Sequence, residues 1–383
     1  MARIRARKAS KLNKFSKFWA IIYILTLLAF EFVMLMLDVI PVKILLIAFV
    51  VLIVISVVIF LQLFLDNIKR KSKIIALIIS MLLMVIYGLF TFYAFGTMSF
   101  LNKVTTGGRN EKAAAVTREP FNVYISGIDK DGSIKTEGLS DVNMLLTVNP
   151  KTGKVLLTSI PRDYYVQFTD GHYEKLTHTG AVGIDETVKT AENLLDTDIN
   201  YYIKVNFSTL TGLVNAIGGI TVDSTEDFYG MPFNGTQHHF VKGENKLDGG
   251  DALIFARTRM AFSDGDNTRI GNQQLVAEAI LKKMTGSATL LLKYDKILDA
   301  IAPYMETNFT KHEIKSLIKM QLARQVDWQY ETYKLTGHDD NVGGAYVMDQ
   351  DEASVQEARD KIEEVLADEP EKNNTGSKHK SKE

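Results

Sequence analysis

Residues Val142 to Asp163 read V-N-M-L-L-T-V-N-P-K-T-G-K-V-L-L-T-S-I-P-R-D. Two apolar runs, Val142 to Val148 and Lys154 to Ser159, flank a turn at Asn149 to Gly153, the pattern of adjacent strands. Outward from this pair, Phe121 to Ile125 supplies an upstream strand. Downstream, Val182 to Leu195 reads as a helix, Tyr201 to Asn206 as a strand, and Ser208 to Ile217 as a helix stopped by Gly218 and Gly219. Ile220 to Asp223 is a further strand, and Gly249 to Ala256 and Asn272 to Met284 are helices. Thr310 with Glu313 three residues on opens another helix as a capping box, and Trp328 to Leu335 is a strand. This alternation of helices and strands predicts an α/β/α sandwich around a central, mainly buried sheet.

The 383 residues are 46% hydrophobic, but that average hides two halves. The first hundred are mostly apolar, and the remainder has the mixed composition of a soluble globular domain. Phe18 to Leu37, Ile44 to Leu65 and Ile74 to Phe95 are each long enough to cross a hydrocarbon core of about 30 Å as a helix. Three such runs in succession argue for a stable anchor, not a cleaved signal peptide. Arg3, Arg5, Arg7, Lys8, Lys11, Lys14 and Lys17 precede the first run, and Lys69, Arg70, Lys71 and Lys73 lie between the second and third. Positive flanks stay in the cytoplasm, so an odd number of spans leaves the rest of the chain outside.

The expected order is a basic cytoplasmic segment (1–17), a three-span membrane anchor (18–98), a linker (99–119), an extracytoplasmic domain (120–367) and a disordered, lysine-rich tail (368–383). Without cysteine the chain has no disulfide and no thiol-based metal or redox chemistry. The net charge of −1, with its basic residues gathered at the membrane flanks, leaves no nucleic-acid footprint.

Arginine is scarce from Leu101 onward, with eight in all, and three of them, Arg257, Arg259 and Arg269, fall close together. A fourth, Arg162, follows Pro161 at the end of a strand, in S-I-P-R-D. A rigid guanidinium fork binds phosphate oxygens in pairs, whereas solubility alone is served by lysine. The competing explanation is an internal ion-pair network with Asp264 and Asp266. Asp129 sits just after one strand and Asp141 just before the next, so both can face one cleft. Carboxylates beside a phosphate site suit a divalent cation, and Mg²⁺ typically takes one or two of them plus phosphate oxygens. Turn and cap roles are the bland alternative.

Gly132 and Glu137 fall at the wrong offsets from Asp129 for a calcium loop. No nucleophile elbow, phosphate loop, H-E-x-x-H pair or cysteine nucleophile occurs. Lys175 in K-L-T-H offers a point charge to a phosphate or simply a solvated amine, and His178 a structural hydrogen bond. The adjacent His238 and His239 lack a nearby third ligand for zinc.

The motifs S-G-I-D at Ser126 to Asp129, L-S-D-V-N at Leu139 to Asn143, V-N-P-K-T-G-K-V-L-L-T-S-I-P-R-D at Val148 to Asp163, and A-R-T-R followed by G-D-N-T-R-I-G-N-Q-Q together resemble the LytR-CpsA-Psr family. The similarity covers about Pro120 to Leu366 and includes K-L-T-H and the N-Y-Y-I-K-V-N-F strand. The three-span anchor looks like the capsule-type branch, without the additional extracellular domain often found there. The resemblance implies a Mg²⁺-assisted enzyme of a Gram-positive-type cell membrane that moves a glycopolymer (teichoic acid, capsule or related) from undecaprenyl pyrophosphate to peptidoglycan.

Carried over by motif, Asp129 and Asp141 bind the metal, while Arg162, Arg257, Arg259 and Arg269 hold the pyrophosphate with Lys175 at its edge. Asp266 and Gln273 complete the polar site, and either Asp141 or Asp266 assists deprotonation. Many relatives carry arginine where this chain has Leu139, which removes one phosphate contact. Two other functions fit the same residues: a lipid-pyrophosphate hydrolase, and a non-catalytic glycan-binding or regulatory membrane protein.

Overall fold

The computed structural model describes residues 2–106, 110–130, 132–230, 238–263, 265–286 and 300–367. The expected tail, 368–383, lies outside them. The chain divides into two compact units, residues 1–103 with 314–325, and residues 104–313 with 326–383.

The first unit is built on α1 (Ala2–Leu37), α2 (Val42–Phe64) and α3 (Arg70–Val104), all three long and apolar enough to cross a membrane. α1 reaches back through the basic N-terminal segment, and α3 runs on into the stretch read as a linker. Phe18, Leu25, Ile47, Val50, Val85 and Phe92 are exposed, as apolar side chains facing lipid are. Inside, several side chains pair with one another. The Trp19 indole donates to Ser80 (2.9 Å), the Tyr23 and Ser56 hydroxyls bond at 2.7 Å, and the Phe30 and Tyr87 rings stack at 4.8 Å. Such pairing is required where no water is available.

The second unit opens with β1 (Phe121–Ile128), β2 (Ser140–Asn149) and β3 (Lys154–Ser159), then the small hairpin β4 (Tyr165–Gln167) and β5 (Tyr173–Lys175). α4 (Leu176–Val182), α5 (Ile184–Leu195), β6 (Tyr201–Asn206) and α6 (Phe207–Ile217) follow. β7 (Ile220–Ser224), β8 (Phe228–Tyr229), β9 (His239–Phe240) and β10 (Gly243–Leu247) lead to α7 (Gly249–Arg257) and α8 (Asp266–Gly286). β11 (Met305–Thr307), α9 (Lys311–Arg324), β12 (Gln329–Lys334), the hairpin β13 (Gly337–Val342) and β14 (Ala345–Gln350), and α10 (Glu352–Ala367) complete it.

Six strands form one mixed sheet in the order β11-β6-β1-β2-β3-β12. β1 runs parallel to β6 and β3 parallel to β12, while β1–β2 and β2–β3 are antiparallel. β1, β2 and β3 are buried along nearly their whole length, as expected of central strands covered on both sides. On one side Tyr124, Leu145 and Leu156 pack with Leu194 and Leu195 of α5 and with Val355, Ala358 and Ile362 of α10. α6, α7 and α8 form the other helical group, touching β3, β6 and β12.

Three local departures from the sequence reading have simple causes. The helix read as Val182 to Leu195 is α5, which starts at Ile184 because Gly183 (φ 146°) breaks the chain there, and a short helix that the reading did not assign, α4, precedes it and opens at K-L-T-H. β7 pairs only with β10, away from the main sheet. Beyond Leu335, where the reading assigns no element, lie a hairpin and the helix α10. The capping box at α9 is present: Thr310 Oγ1 accepts from Glu313 N–H (3.2 Å), and Glu313 Oε2 accepts from Thr310 N–H (2.7 Å).

Candidate active site

Strand β1 ends in a register shift at Gly127/Ile128. A side chain at Gly127 would meet Val142 Cβ at 2.8 Å, so only glycine lets β1 and β2 converge here. That convergence brings Asp129, just past β1, beside Asp141, the second residue of β2. The Asp129 amide donates to the Leu139 carbonyl (3.1 Å), which ties the two chain ends together. Between them, the loop is pinned from β6: buried Lys204 bonds Glu137 (2.9 Å), and Asn206 Nδ2 donates to the Gly132 carbonyl (2.8 Å). The serines flanking the carboxylates point inward. Ser126 and Ser140 are buried and share a 2.8 Å hydrogen bond, and Ser140 also donates to Asn143 (2.7 Å).

Arg162 arrives from the end of β3. Its Nη1 donates to Asp141 Oδ2 (3.0 Å), while Thr177 Oγ1 donates to Asp141 Oδ1 (3.2 Å). The neighbouring Asp163 carries on the chain of charges. It lies 3.5 Å from Arg162 Nε and accepts from Lys175 Nζ at 2.9 Å. From the other side Arg257, at the end of α7, lies 3.8 Å from Asp129, with its guanidinium 4.2 Å from the centre of the Phe207 ring. The ring face steadies a cation without neutralising it.

Burial pushes the Asp129 carboxyl above its ordinary range, and the Asp141 charge pushes it further, while Arg257 and Arg162 pull it back. Two carboxylates held this close repel each other, and a divalent cation between them would relieve the strain. A Mg²⁺ ion therefore fits Asp129 and Asp141, which offer the one or two carboxylates such a site uses. Among the described residues no cluster of three or more metal-ligating side chains occurs. His238 and His239 are taken separately, by Asp251 (2.6 Å) and Asp227 (2.8 Å).

Beside this network is a cleft of about 300 Å³ lined by Asp163, Arg259, Met260, Phe262, Gly265 and Tyr346. Gly265 immediately precedes α8, so the cleft lies at the N-terminal end of a long helix, where anions are favoured. Arg269 is buried in the first turns of α8. Gln273, one turn on, donates its amide to the Ala256 carbonyl (3.3 Å), and Asn272 donates to the Phe255 carbonyl (3.4 Å). These two amides fasten α8 to the last carbonyls of α7 and hold Arg257 in position. The backbone of Asp266 starts α8, but its side chain lies outside the described residues, as does Asp264.

The structure thus links Asp129, Asp141, Arg162 and Arg257 directly, with Lys175 joined through Asp163 and Arg259 facing the adjacent cleft. Sequence reasoning missed Thr177, Lys204 and Tyr346. Thr177 stands in the K-L-T-H motif and Lys204 in the quoted β6 strand, so both lay in segments already singled out. Tyr346 gave no such signal.

The LytR_cpsA_psr family description matches residues 90–364. A protein named polyisoprenyl-teichoic acid–peptidoglycan teichoic acid transferase TagU, from Bacillus licheniformis, is 30% identical over 312 residues, 78% of this chain and 97% of its own. The crystal structure of B. subtilis TagV superposes with a TM-score of 0.56 at 30% identity, covering 66% of this chain and 99% of that one. A LytR-CPS2A-psr family protein, YwtF (TagT), solved with bound octaprenyl pyrophosphate lipid, gives a TM-score of 0.51 at 25% identity over 69% of this chain and 99% of that one. With the motifs meeting in one place and the match running over most of its length, the chain belongs to the LytR-CpsA-Psr family.

Proposed function

We propose that this protein transfers a glycopolymer from a polyprenyl pyrophosphate, undecaprenyl pyrophosphate in a Gram-positive-type cell, to peptidoglycan. The observation that carries this reading is the continuous network Arg257–Asp129–Asp141–Arg162–Asp163 beside a cleft. Support also comes from TagU, whose name describes that reaction, and from the lipid pyrophosphate bound by YwtF. A peptidoglycan hydroxyl attacks the sugar-side phosphorus, the bond from that phosphorus to the bridging oxygen breaks, and undecaprenyl phosphate leaves. The hydroxyl proton passes to a carboxylate, Asp141 or Asp266.

Arg162, Arg257, Arg259 and Arg269 bind and orient the pyrophosphate, and positioning with charge neutralisation supplies most of the acceleration, as is usual for phosphoryl transfer. Lys175 holds Asp163, and through it the backbone next to Arg162. Mg²⁺ on Asp129 and Asp141 would neutralise charge on the pyrophosphate oxygens. The buried serine hydroxyls leave a direct displacement as the simplest course. The basic segments before α1 and between α2 and α3 support a cytoplasmic N-terminus and hence a catalytic unit on the outer face.

Reconstitution of the full chain in vesicles with a lipid-pyrophosphate glycan, Mg²⁺ and peptidoglycan tests the reading. Mass analysis should find the glycan phosphate on muramyl fragments. Release of the glycan phosphate into water at the same rate with and without peptidoglycan would identify a hydrolase instead.

A further inference from the structure

Resting on the transferase reading, a second feature extends the site toward the acceptor. Tyr346 on β14, where the cleft opens, is 42% exposed, and Tyr173 on β5 is 52% exposed. They belong to strands that the fold brings side by side. Met348 N–H donates to the Asp163 carbonyl (2.8 Å), and Gln350 Nε2 donates to the Tyr165 carbonyl (2.8 Å). Tyr165 pairs with Lys175 across β4 and β5, so their side chains share a face, and Tyr173, two residues from Lys175, shares it too. The Tyr165 and Tyr173 ring centroids are 5.6 Å apart, and Lys175 Nζ lies 5.4 Å from the centre of the Tyr346 ring. The result is a row, Tyr346–Lys175–Tyr165–Tyr173, that begins at the cleft.

We propose that this row is the ledge on which the glycan strand of the peptidoglycan acceptor lies. A pyranose ring has apolar C–H faces and a rim of hydroxyls, and an exposed tyrosine offers a flat apolar face with a polar tip. Charge selects the acceptor over the donor's polymer. The hairpin that presents Tyr346, residues 337–350, carries Asp339, Asp340 and Asp349 and neither lysine nor arginine, and Tyr346 donates to Asp339 at 2.9 Å. Lys175 in the row is already paired with Asp163, so the acidic hairpin sets the charge here: a polyanionic phosphoglycan is repelled by it, whereas a sugar strand with amine-bearing peptide stems is not.

The test uses the full chain in vesicles and peptidoglycan sacculi stripped of wall polymer. Tyr173→Ala should raise the acceptor KM by roughly five- to tenfold, without the donor KM following, and Tyr173→Trp should restore it. Co-sedimentation with the sacculi, with no donor present, should weaken by a similar factor. A rise in donor KM with acceptor KM unmoved would hand the ledge to the donor's polymer and overturn the proposal, as would wild-type behaviour in both measurements. Tyr173-dependent sedimentation by a protein that transfers nothing would instead sink the transferase reading while supporting the ledge.

Discussion

At the residue scale the site depends on geometry as much as on charge. Arg162 Nη1 donates to Asp141 Oδ2, and its Nε lies against Asp163, so the guanidinium is held in one plane between two carboxylates. Arg162→Ala should lower transfer by about a hundredfold or more, the loss typical of one electrostatic contact to a transition state. Arg162→Lys, which keeps the charge but loses the fork, should recover little of it. Steady-state rates with defined lipid donor decide both.

Asp129 makes a different prediction, about stability. Its pKa is raised in the folded protein, so its neutral form is favoured there, and stability is lost as pH climbs from the ordinary carboxylate range through the raised value. Asp129→Asn removes that loss. In the absence of divalent cations, the variant's Tm relative to the parent should therefore be higher at neutral pH than near pH ~4, while Mg²⁺-dependent transfer falls. A Tm difference independent of pH would contradict the assignment. Asp129, Asp141 and Arg162 were legible in the sequence because each stands at a strand end, where side chains leave the sheet. The Ser126–Ser140 pair was not, because nothing in S-G-I-D or L-S-D says which hydroxyls turn inward.

Elements explain why those strand ends meet. Gly180 in α4 lies against the start of β2: a Cβ there would sit 2.5 Å from the Gly138 carbonyl oxygen and 2.7 Å from the Ser140 nitrogen. Gly180→Ala should cost about 1–3 kcal/mol of stability and, because the displaced backbone leads into Asp141, lower transfer as well. Thermal unfolding and the transfer assay on the same preparation check both. α6 is capped by Asn206, whose side chain accepts from Thr209 N–H (3.0 Å) and also donates to the Gly132 carbonyl in the carboxylate loop. Asn206→Ala should therefore cost about 1 kcal/mol for the lost cap and loosen the loop that carries Asp129.

The apolar runs that became β1, β2 and β3 were readable because central strands must be hydrophobic on both faces, whereas β12 is a partly exposed edge strand. The β13–β14 hairpin was not, because its acidic, glycine-rich strands are largely exposed and resemble loop composition. α10 did carry a signal, with Val355, Ala358, Ile362 and Val365 buried along one face at helical spacing.

On the scale of the whole molecule, three apolar helices and a mixed-sheet domain share one chain, the first legible from composition and the second from the alternation of apolar runs and turns. The outward-facing catalytic unit proposed from the lysine and arginine flanks has a direct test. A C-terminal reporter enzyme that folds only outside the cytoplasm should be active, and a cytoplasmic reporter at the same place silent. What composition did not disclose is that residues 314–325 group with the three spans while their neighbours on both sides group with the sheet. The polypeptide consequently crosses between the two units three times, at 103/104, 313/314 and 325/326. An enzyme carried on three apolar helices meets a lipid-borne donor by lateral diffusion, so its encounters depend on how crowded the bilayer is with donor and not on the volume of the solution. Diluting whole vesicles should leave turnover per enzyme unchanged at saturating acceptor, whereas thinning the donor with inert lipid should slow it.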